Sequence, residues 1–140
     1  MSILVDTGAW YAVADASDRH HDEAAAFYAE QAGQAGFVTS DLIVAETWAL
    51  LSSHLGRPAA LTFWETLREA RIPILTPDGA DLEAAWRIAQ AYSDQAFSFV
   101  DCVSFALMER SGIAEAFAFD NHFLVYRYGA RRERAFLRHP

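Results

Sequence analysis

The chain has 140 residues, of which 53% are hydrophobic and 14% aromatic, and this composition excludes a disordered protein and predicts one domain, residues 1–140, around a single buried core. No apolar run approaches the roughly 20 residues of a membrane-spanning helix, the first residues lack the pattern of a signal peptide, and the single cysteine, Cys102, excludes an internal disulfide. We therefore expect a cytoplasmic protein without a membrane partner.

The net charge of −8 is distributed unevenly along the chain. All eleven basic residues are Arg and five of them fall in the last fourteen residues, so residues 1–126 carry −12 and residues 127–140 carry +4. An acidic body suits a carboxylate-rich site that recruits cations, and the basic tail, in particular Arg131 and Arg132, suits contact with RNA phosphates. Composition by itself favours the alternative, a solvated surface with a basic end.

Short β-like runs alternate with helical patterns along the whole chain. In chain order, the patterns predict strand 3–6, helix 7–14, helix 21–31, strand 37–39, helix 42–54, helix 58–71, strand 72–76, helix 77–92, helix 98–111, strand 116–120 and a short strand at 135–137. Asp18 is the expected N-cap of the second helix, and Ser40 or Asp41 that of the third.

This alternation predicts an α/β fold. Strands separated by helices imply right-handed crossovers and a mostly parallel sheet of four to five strands with helices on both faces. In such sheets, ligands bind beyond the carboxyl ends of the strands, near the point where the strand order reverses. The first and fourth predicted strands each end in an aspartate, Asp6 and Asp120. If these strands are neighbours, both carboxylates emerge at the same edge.

Four acidic residues stand alone inside apolar segments: Asp6, Glu46, Asp101 and Asp120. A charged carboxylate among core residues is costly unless it is paired or bound to a metal, and no Arg lies within several residues of the first three. A shared hard cation, Mg²⁺ or Mn²⁺, prefers oxygen ligands and would suit all four acids.

Each of these acids also has a structural alternative. Asp101 follows Ser98 at the spacing of a capping box, although a cap can also be a ligand. Asp6 can cap the helix that follows its strand, and Asp120 can be a turn residue. Glu46 lies in mid-helix, which excludes capping, so its alternative is a long-range salt bridge.

The ordered set of motifs resembles a known family. Asp6 at the end of the first strand, Glu46 after T-S-D-L, Asp101 in S-F-V-D and Asp120 in F-D-N-H-F resemble the PIN domain, and in particular the VapC-type ribonuclease toxins of toxin–antitoxin pairs. The resemblance covers nearly the whole chain and puts the family's four acids on these four positions. Thr7 matches the family's hydroxyl position.

One position departs from the family pattern. The residue two before the fourth acid is commonly Thr in the family and is Ala118 here, which predicts that Asp120 lacks a supporting hydrogen bond.

The resemblance implies a compact three-layer α/β/α sandwich with a twisted central sheet, often dimeric, that cleaves RNA and is held inactive by a small antitoxin. It implies hydrolysis of RNA phosphodiester bonds, with Asp6 and Asp101 holding Mg²⁺ or Mn²⁺ and with Glu46 and Asp120 completing the catalytic pocket.

Other functions are less compatible with the residues. A phosphatase of the haloacid dehalogenase kind needs D-x-D and a later Lys, but Gly8 holds the third position and the chain has no Lys. A PIN nuclease of RNA processing that is not a toxin, and a catalytically silent PIN-like module that binds protein or RNA, stay as alternatives.

Overall fold

The computed structural model describes residues 1–34 and 36–140, and in them strands and helices alternate as predicted. The elements are β1 Ser2–Val5, α1 Thr7–Ala14, α2 His21–Gln31, β2 Gly36–Ser40, α3 Asp41–Leu55, α4 Arg57–Glu69, β3 Ile74–Leu75, α5 Gly79–Ala91, α6 Phe99–Ser111, β4 Glu115–Phe117, α7 His122–Val125 and β5 Leu137–His139.

The five strands form one sheet in the order β3-β2-β1-β4-β5, and every pair is parallel. The chain adds β2 and β3 on one side of β1 and β4 and β5 on the other, so the strand order reverses between β1 and β4. These two strands are neighbours, with Val5 opposite Phe117. The predicted α/β fold is confirmed, and the condition for bringing Asp6 and Asp120 to one edge is met.

The core lies on both sides of β1. Ile3, Leu4 and Val5 are each at most 1% exposed, as expected for a central strand of a parallel sheet covered on both faces. On α6, all eight side chains from Asp101 to Met108 are buried, so this helix packs on every side. No helix in the described residues is both long and apolar enough to cross a bilayer.

The cap predicted for α2 is wrong, whereas that for α3 is confirmed. His20, not Asp18, is the N-cap of α2, and it makes no side-chain cap. The Asp18 carboxylate instead accepts the backbone N–H of His20 at 3.0 Å, within the preceding turn. Ser40 caps α3 by accepting the N–H of Ile43 at 3.1 Å.

The predicted ends of the strands differ more from the structure than the predicted ends of the helices do. The third strand is only Ile74–Leu75. Pro73 before it has no N–H to donate, although its carbonyl accepts the N–H of Thr39 on β2 at 3.1 Å. The fourth ends at Phe117, three residues earlier than predicted, and the fifth lies at Leu137–His139 rather than at 135–137. The four-residue α7 was not predicted, since so short a segment shows no helical period.

An ion pair joins the start of α5 to the end of α6. Asp81 is 2% exposed, forms a capping box with Asp78, and accepts two hydrogen bonds from the Arg110 guanidinium at 2.7 and 2.9 Å. These bonds from Arg110 hold the pKa of Asp81 below its ordinary value. The carboxylate therefore stabilises the fold above the pKa of an unfolded Asp, and this stability is lost as the pH falls through the lower folded pKa.

We predict that Asp81→Ala lowers the free energy of unfolding by about 2 kcal/mol at neutral pH, because it removes a cap and a charge-assisted pair whose arginine is half exposed. Urea unfolding measures the loss, and the exposed Asp94→Ala serves as the control. The difference between wild type and Asp81→Ala should shrink below about pH 4. A variant as stable as the control at neutral pH would contradict the prediction.

Candidate active site

Asp6 lies where β1 ends and α1 begins, beside β4. It occupies the N-cap position of α1 without making a side-chain cap, so the capping alternative does not account for its carboxylate. Its backbone N–H donates to the carbonyl of Phe117 at 3.0 Å, and its own carbonyl accepts from Ala9 and Trp10 at 3.1 Å. The residue is 5% exposed. These bonds fix the Asp6 backbone between the strand that precedes it and the helix that follows it, and so fix the point from which its side chain starts.

Asp101 is held in the first turn of α6. Ser98 Oγ accepts the Asp101 N–H at 3.0 Å, and Asp101 Oδ2 accepts the Ser98 N–H at 2.9 Å, so the capping box that the spacing allowed is confirmed. The cap uses only Oδ2. It fixes the orientation of the carboxylate and leaves Oδ1 outside the cap.

Asp120 lies in the loop between β4 and α7, where its Oδ1 accepts the backbone N–H of His122 at 3.0 Å. Position 118 offers no hydroxyl, but Arg138 on β5 donates to the carbonyls of Phe119 and Asp120 at 2.8 and 3.0 Å. The support for the fourth acid therefore comes from a neighbouring strand and from the helix that follows.

Glu46 is half-buried in the middle of α3. Within residues 1–34 and 36–140 it has no salt-bridge partner, so its structural alternative finds no support. Its charge raises the pKa of Asp6, as the weakest of the three neighbouring carboxylates, so Glu46 is near enough to Asp6 to oppose its ionisation.

Electrostatics show that the acids are close together. Burial raises the pKa of Asp6 well above its ordinary value, and the charges of Asp120, Asp101 and, more weakly, Glu46 raise it further. The pKa of Asp120 is also raised, first by desolvation and then by the charge of Asp101, against a lowering by the His122 N–H. Carboxylates that oppose one another's ionisation lie close together and form an acidic cluster, in which the charges of Asp120, Asp101 and Glu46 all act on Asp6.

The donor set fits a hard divalent cation. Carboxylate oxygens of Asp101 and Asp120 lie within 4.8 Å of each other, and a ring nitrogen of His122 lies within the same distance of both. The Thr7 hydroxyl, next to Asp6, is buried without a hydrogen-bond partner in the described part of the chain. Carboxylate oxygens that repel one another are ligands of the kind that Mg²⁺ or Mn²⁺ prefers, and the unsatisfied Thr7 hydroxyl is a further oxygen next to Asp6 in the chain.

Two residues of this site were missed from the sequence. His122 Nδ1 lies 2.7 Å from Asp101 Oδ2, although the motif F-D-N-H-F predicted no role for its histidine. Arg138 was counted only as part of the basic tail. A histidine two residues after the fourth acid was a visible signal, whereas the partners of Arg138 could not be found without the sheet.

The five arginines of the tail do not act together. Arg127 donates to carbonyls at the end of α7, Arg134 lies 4.9 Å from the ring centroid of Tyr128, and Arg138 holds the loop of the fourth acid. Arg131 and Arg132 are exposed.

The comparisons with known proteins agree with this geometry. A family model described as PIN domain matches residues 3–127. The chain therefore belongs to the PIN-domain family.

Its relatives are VapC-type members of that family. The chain is 35% identical over 122 residues to the 23S rRNA-specific endonuclease VapC20 of Mycobacterium tuberculosis, strains CDC 1551 / Oshkosh and ATCC 25618 / H37Rv, covering 86% of this chain and 91% of the relative. The crystal structure of M. tuberculosis VapC20, described as a sarcin–ricin loop cleaving toxin, matches with a TM-score of 0.78 and 31% identity, over 85% of this chain and 90% of that one. The VapC-type resemblance drawn from the sequence is thus confirmed.

We predict that Asp6→Asn raises the Tm of the metal-free protein near neutral pH. The pKa of Asp6 is higher in the folded state, so the folded protein binds its proton more tightly and wild type loses stability as the pH rises through that pKa. An amide carries no charge and removes this loss. The gain should therefore be present at about pH 8 and disappear below about pH 4, where the wild-type carboxyl becomes protonated in the unfolded state as well.

Thermal melts in EDTA across this range measure the effect, with Asp94→Asn as the matched control on the surface. A Tm difference that does not change with pH would show that Asp6 is not under electrostatic strain.

Proposed function

We propose that this PIN-domain protein is a Mg²⁺- or Mn²⁺-dependent endoribonuclease and the toxin of a VapC-type toxin–antitoxin pair. The observation that carries the proposal is the parallel pairing of β1 with β4, which brings Asp6 and Asp120 to one edge of the sheet, where the charges of Asp120, Asp101 and Glu46 raise the pKa of Asp6.

The residues have distinct roles in this proposal. Asp6 and Asp101 are buried and hold the cation, while Glu46 and Asp120 complete the pocket. The Thr7 hydroxyl supports the site from the first turn of α1. When bound, the cation neutralises charge on the scissile phosphate and acidifies the attacking water. Attack of water on the phosphorus would form one P–O bond and break the P–O3′ bond, and a proton from the water would end on O3′, so the products would carry a 5′-phosphate and a 3′-hydroxyl.

We propose ribosomal RNA as the substrate. The support is the similarity to VapC20, which is named as specific for 23S rRNA and, in its crystal structure, as cleaving the sarcin–ricin loop. Incubating the purified protein with total RNA in Mn²⁺ and mapping the new 5′-phosphate ends tests this substrate. Ends confined to transfer or messenger RNA would overturn the choice of substrate while keeping the nuclease.

The first test of the activity is removal of the metal and of its ligands. We expect cleavage in Mn²⁺ or Mg²⁺, none in EDTA, and a loss on the order of a hundredfold or more in Asp6→Asn or Asp101→Asn, because each removes a charged ligand of the cation. Asp94→Asn should cleave like wild type. Cleavage that persists in EDTA would contradict metal dependence, and no cleavage under any condition would favour a silent module.

Binding of the cation should also appear as stability. At a free Mn²⁺ concentration of about ten times its Kd, wild type should gain about 1.4 kcal/mol, or roughly 4 °C in Tm. The gain should be much smaller in Asp6→Asn.

The two exposed arginines of the tail, Arg131 and Arg132, are proposed to contact the RNA backbone. Neutralising both by Arg131→Ala/Arg132→Ala should weaken RNA binding and reduce the slope of log K against log salt by about 1.4, since each phosphate contact on single-stranded RNA contributes about 0.7. A salt titration by fluorescence anisotropy, using catalytically inactive Asp6→Asn as the background, measures the slope. An unchanged slope would remove these residues from the interface.

The remaining features of the proposal rest on the family. We propose that a small antitoxin binds the protein and holds it inactive, that the protein forms a homodimer, and that it acts in the cytoplasm, where its RNA substrate lies. We also propose a single domain over residues 1–140, because β5 pairs with β4 in the common sheet.

A further inference from the structure

His122 is in contact with two of the four acids. It is the first residue of α7, and its side chain is 30% exposed. Its Nδ1 lies 2.7 Å from Asp101 Oδ2, and its backbone N–H donates to Asp120 Oδ1 at 3.0 Å. The ring also packs against Phe97, with the centroids 5.3 Å apart at an angle of 69°. The imidazole is therefore held in place by packing as well as by hydrogen bonding.

Both bonds to the Asp101 side chain fall on the same oxygen. Oδ2 accepts the Ser98 N–H at 2.9 Å and lies 2.7 Å from the His122 ring nitrogen. A carboxylate oxygen accepts, so this bond requires the histidine proton on Nδ1. With Oδ2 bound from two directions, the carboxylate resists rotation and Oδ1 stays available to the pocket.

A carboxylate held in this way binds a cation better than one that rotates freely, because it loses less conformational entropy when the cation binds. Hydrogen bonds behind a metal ligand are worth roughly 10- to 100-fold in metal affinity or activity. His122 is also the residue through which the fourth acid is supported without a hydroxyl at position 118.

We propose that His122 is a positioning residue for RNA cleavage: its ring fixes Asp101 with one oxygen free for the cation, and its backbone N–H fixes Asp120 beside it. This inference rests on the proposed nuclease function and adds a residue to it. His122 acts through the bond between its Nδ1 and the Asp101 carboxylate, and not through direct contact with the RNA.

Three substitutions of His122 distinguish the contribution of Nδ1 from that of Nε2. His122→Ala removes both, His122→Asn keeps a donor close to the position of Nδ1, and His122→Gln carries its amide nitrogen closer to that of Nε2. The control is His54→Ala, since His54 lies near Tyr11, with Nδ1 3.2 Å from its hydroxyl, and contacts none of the four acids. Thermal melts in EDTA confirm that each variant is folded.

The readouts are the Kd for Mn²⁺ of RNA-free protein, by calorimetry or electron paramagnetic resonance, and kcat and KM for RNA cleavage. We expect His122→Ala to weaken Mn²⁺ binding by about 10- to 100-fold and to lower kcat while KM for RNA changes little. Asn should restore most of the Mn²⁺ affinity and Gln should not. The control should match wild type in both readouts.

Equal Mn²⁺ affinity and kcat in wild type and His122→Ala would overturn the inference, as would better rescue by Gln than by Asn. If the Ala variant does not fold, the comparison of Asn with Gln decides between these results. A wild-type protein that cleaves no RNA would instead remove the proposed function, so the two failures are told apart by the wild type alone.

Discussion

The parallel pairing of β1 with β4 is the constraint on which the site depends. These strands come from opposite ends of the chain, and their pairing puts Val5 opposite Phe117 and bonds the Asp6 N–H to the Phe117 carbonyl. Helix α1 follows β1 and α7 follows β4, so both start at the carboxyl edge of the sheet. Helix α6 runs back toward the start of β4, so its first turn lies at that edge as well. Because all five strands run in the same direction, Asp6 and Asp120, which are 114 positions apart, leave the sheet at the same edge and belong to one acidic cluster.

This acidic cluster lowers the stability of the fold when no metal is bound. Burial and mutual repulsion both disfavour the charged form of Asp6, so the rest of the molecule has to stabilise an arrangement that opposes folding at neutral pH. The buried α6 supplies much of this support. Phe105, in its middle, stacks on Tyr126 at 4.6 Å and packs edge-on against Phe123 at 5.1 Å. An apolar helix held on all sides therefore carries Asp101 at its first turn.

Much of this architecture was predictable from local pattern. Helix α1 has the predicted bounds, because apolar periodicity and helix termini are properties of neighbouring residues. The strand ends were predicted less well, since they depend on where a partner strand stops. The pocket acids stood out as lone charges in apolar segments, but their catalytic roles remain proposals. Arg138 was missed because its partners lie 18 or more positions away, a distance that spacing does not reveal. His122 was visible beside the fourth acid, but its bond to Asp101, 21 positions away, was not.

The hydrogen bonds from Arg138 to the loop that carries Asp120 also have a consequence for the synthesis of the protein. Synthesis runs from the N-terminus, so Asp6, Glu46, Asp101 and Asp120 are all in the growing chain before β5 exists. Until β5 has left the ribosome and added to the sheet, the carbonyls of Phe119 and Asp120 lack their guanidinium partner. A nascent chain that already contains all four acids therefore still lacks the hydrogen bonds from Arg138 that hold the loop of Asp120. The ribosome that synthesises this nuclease is itself built of RNA.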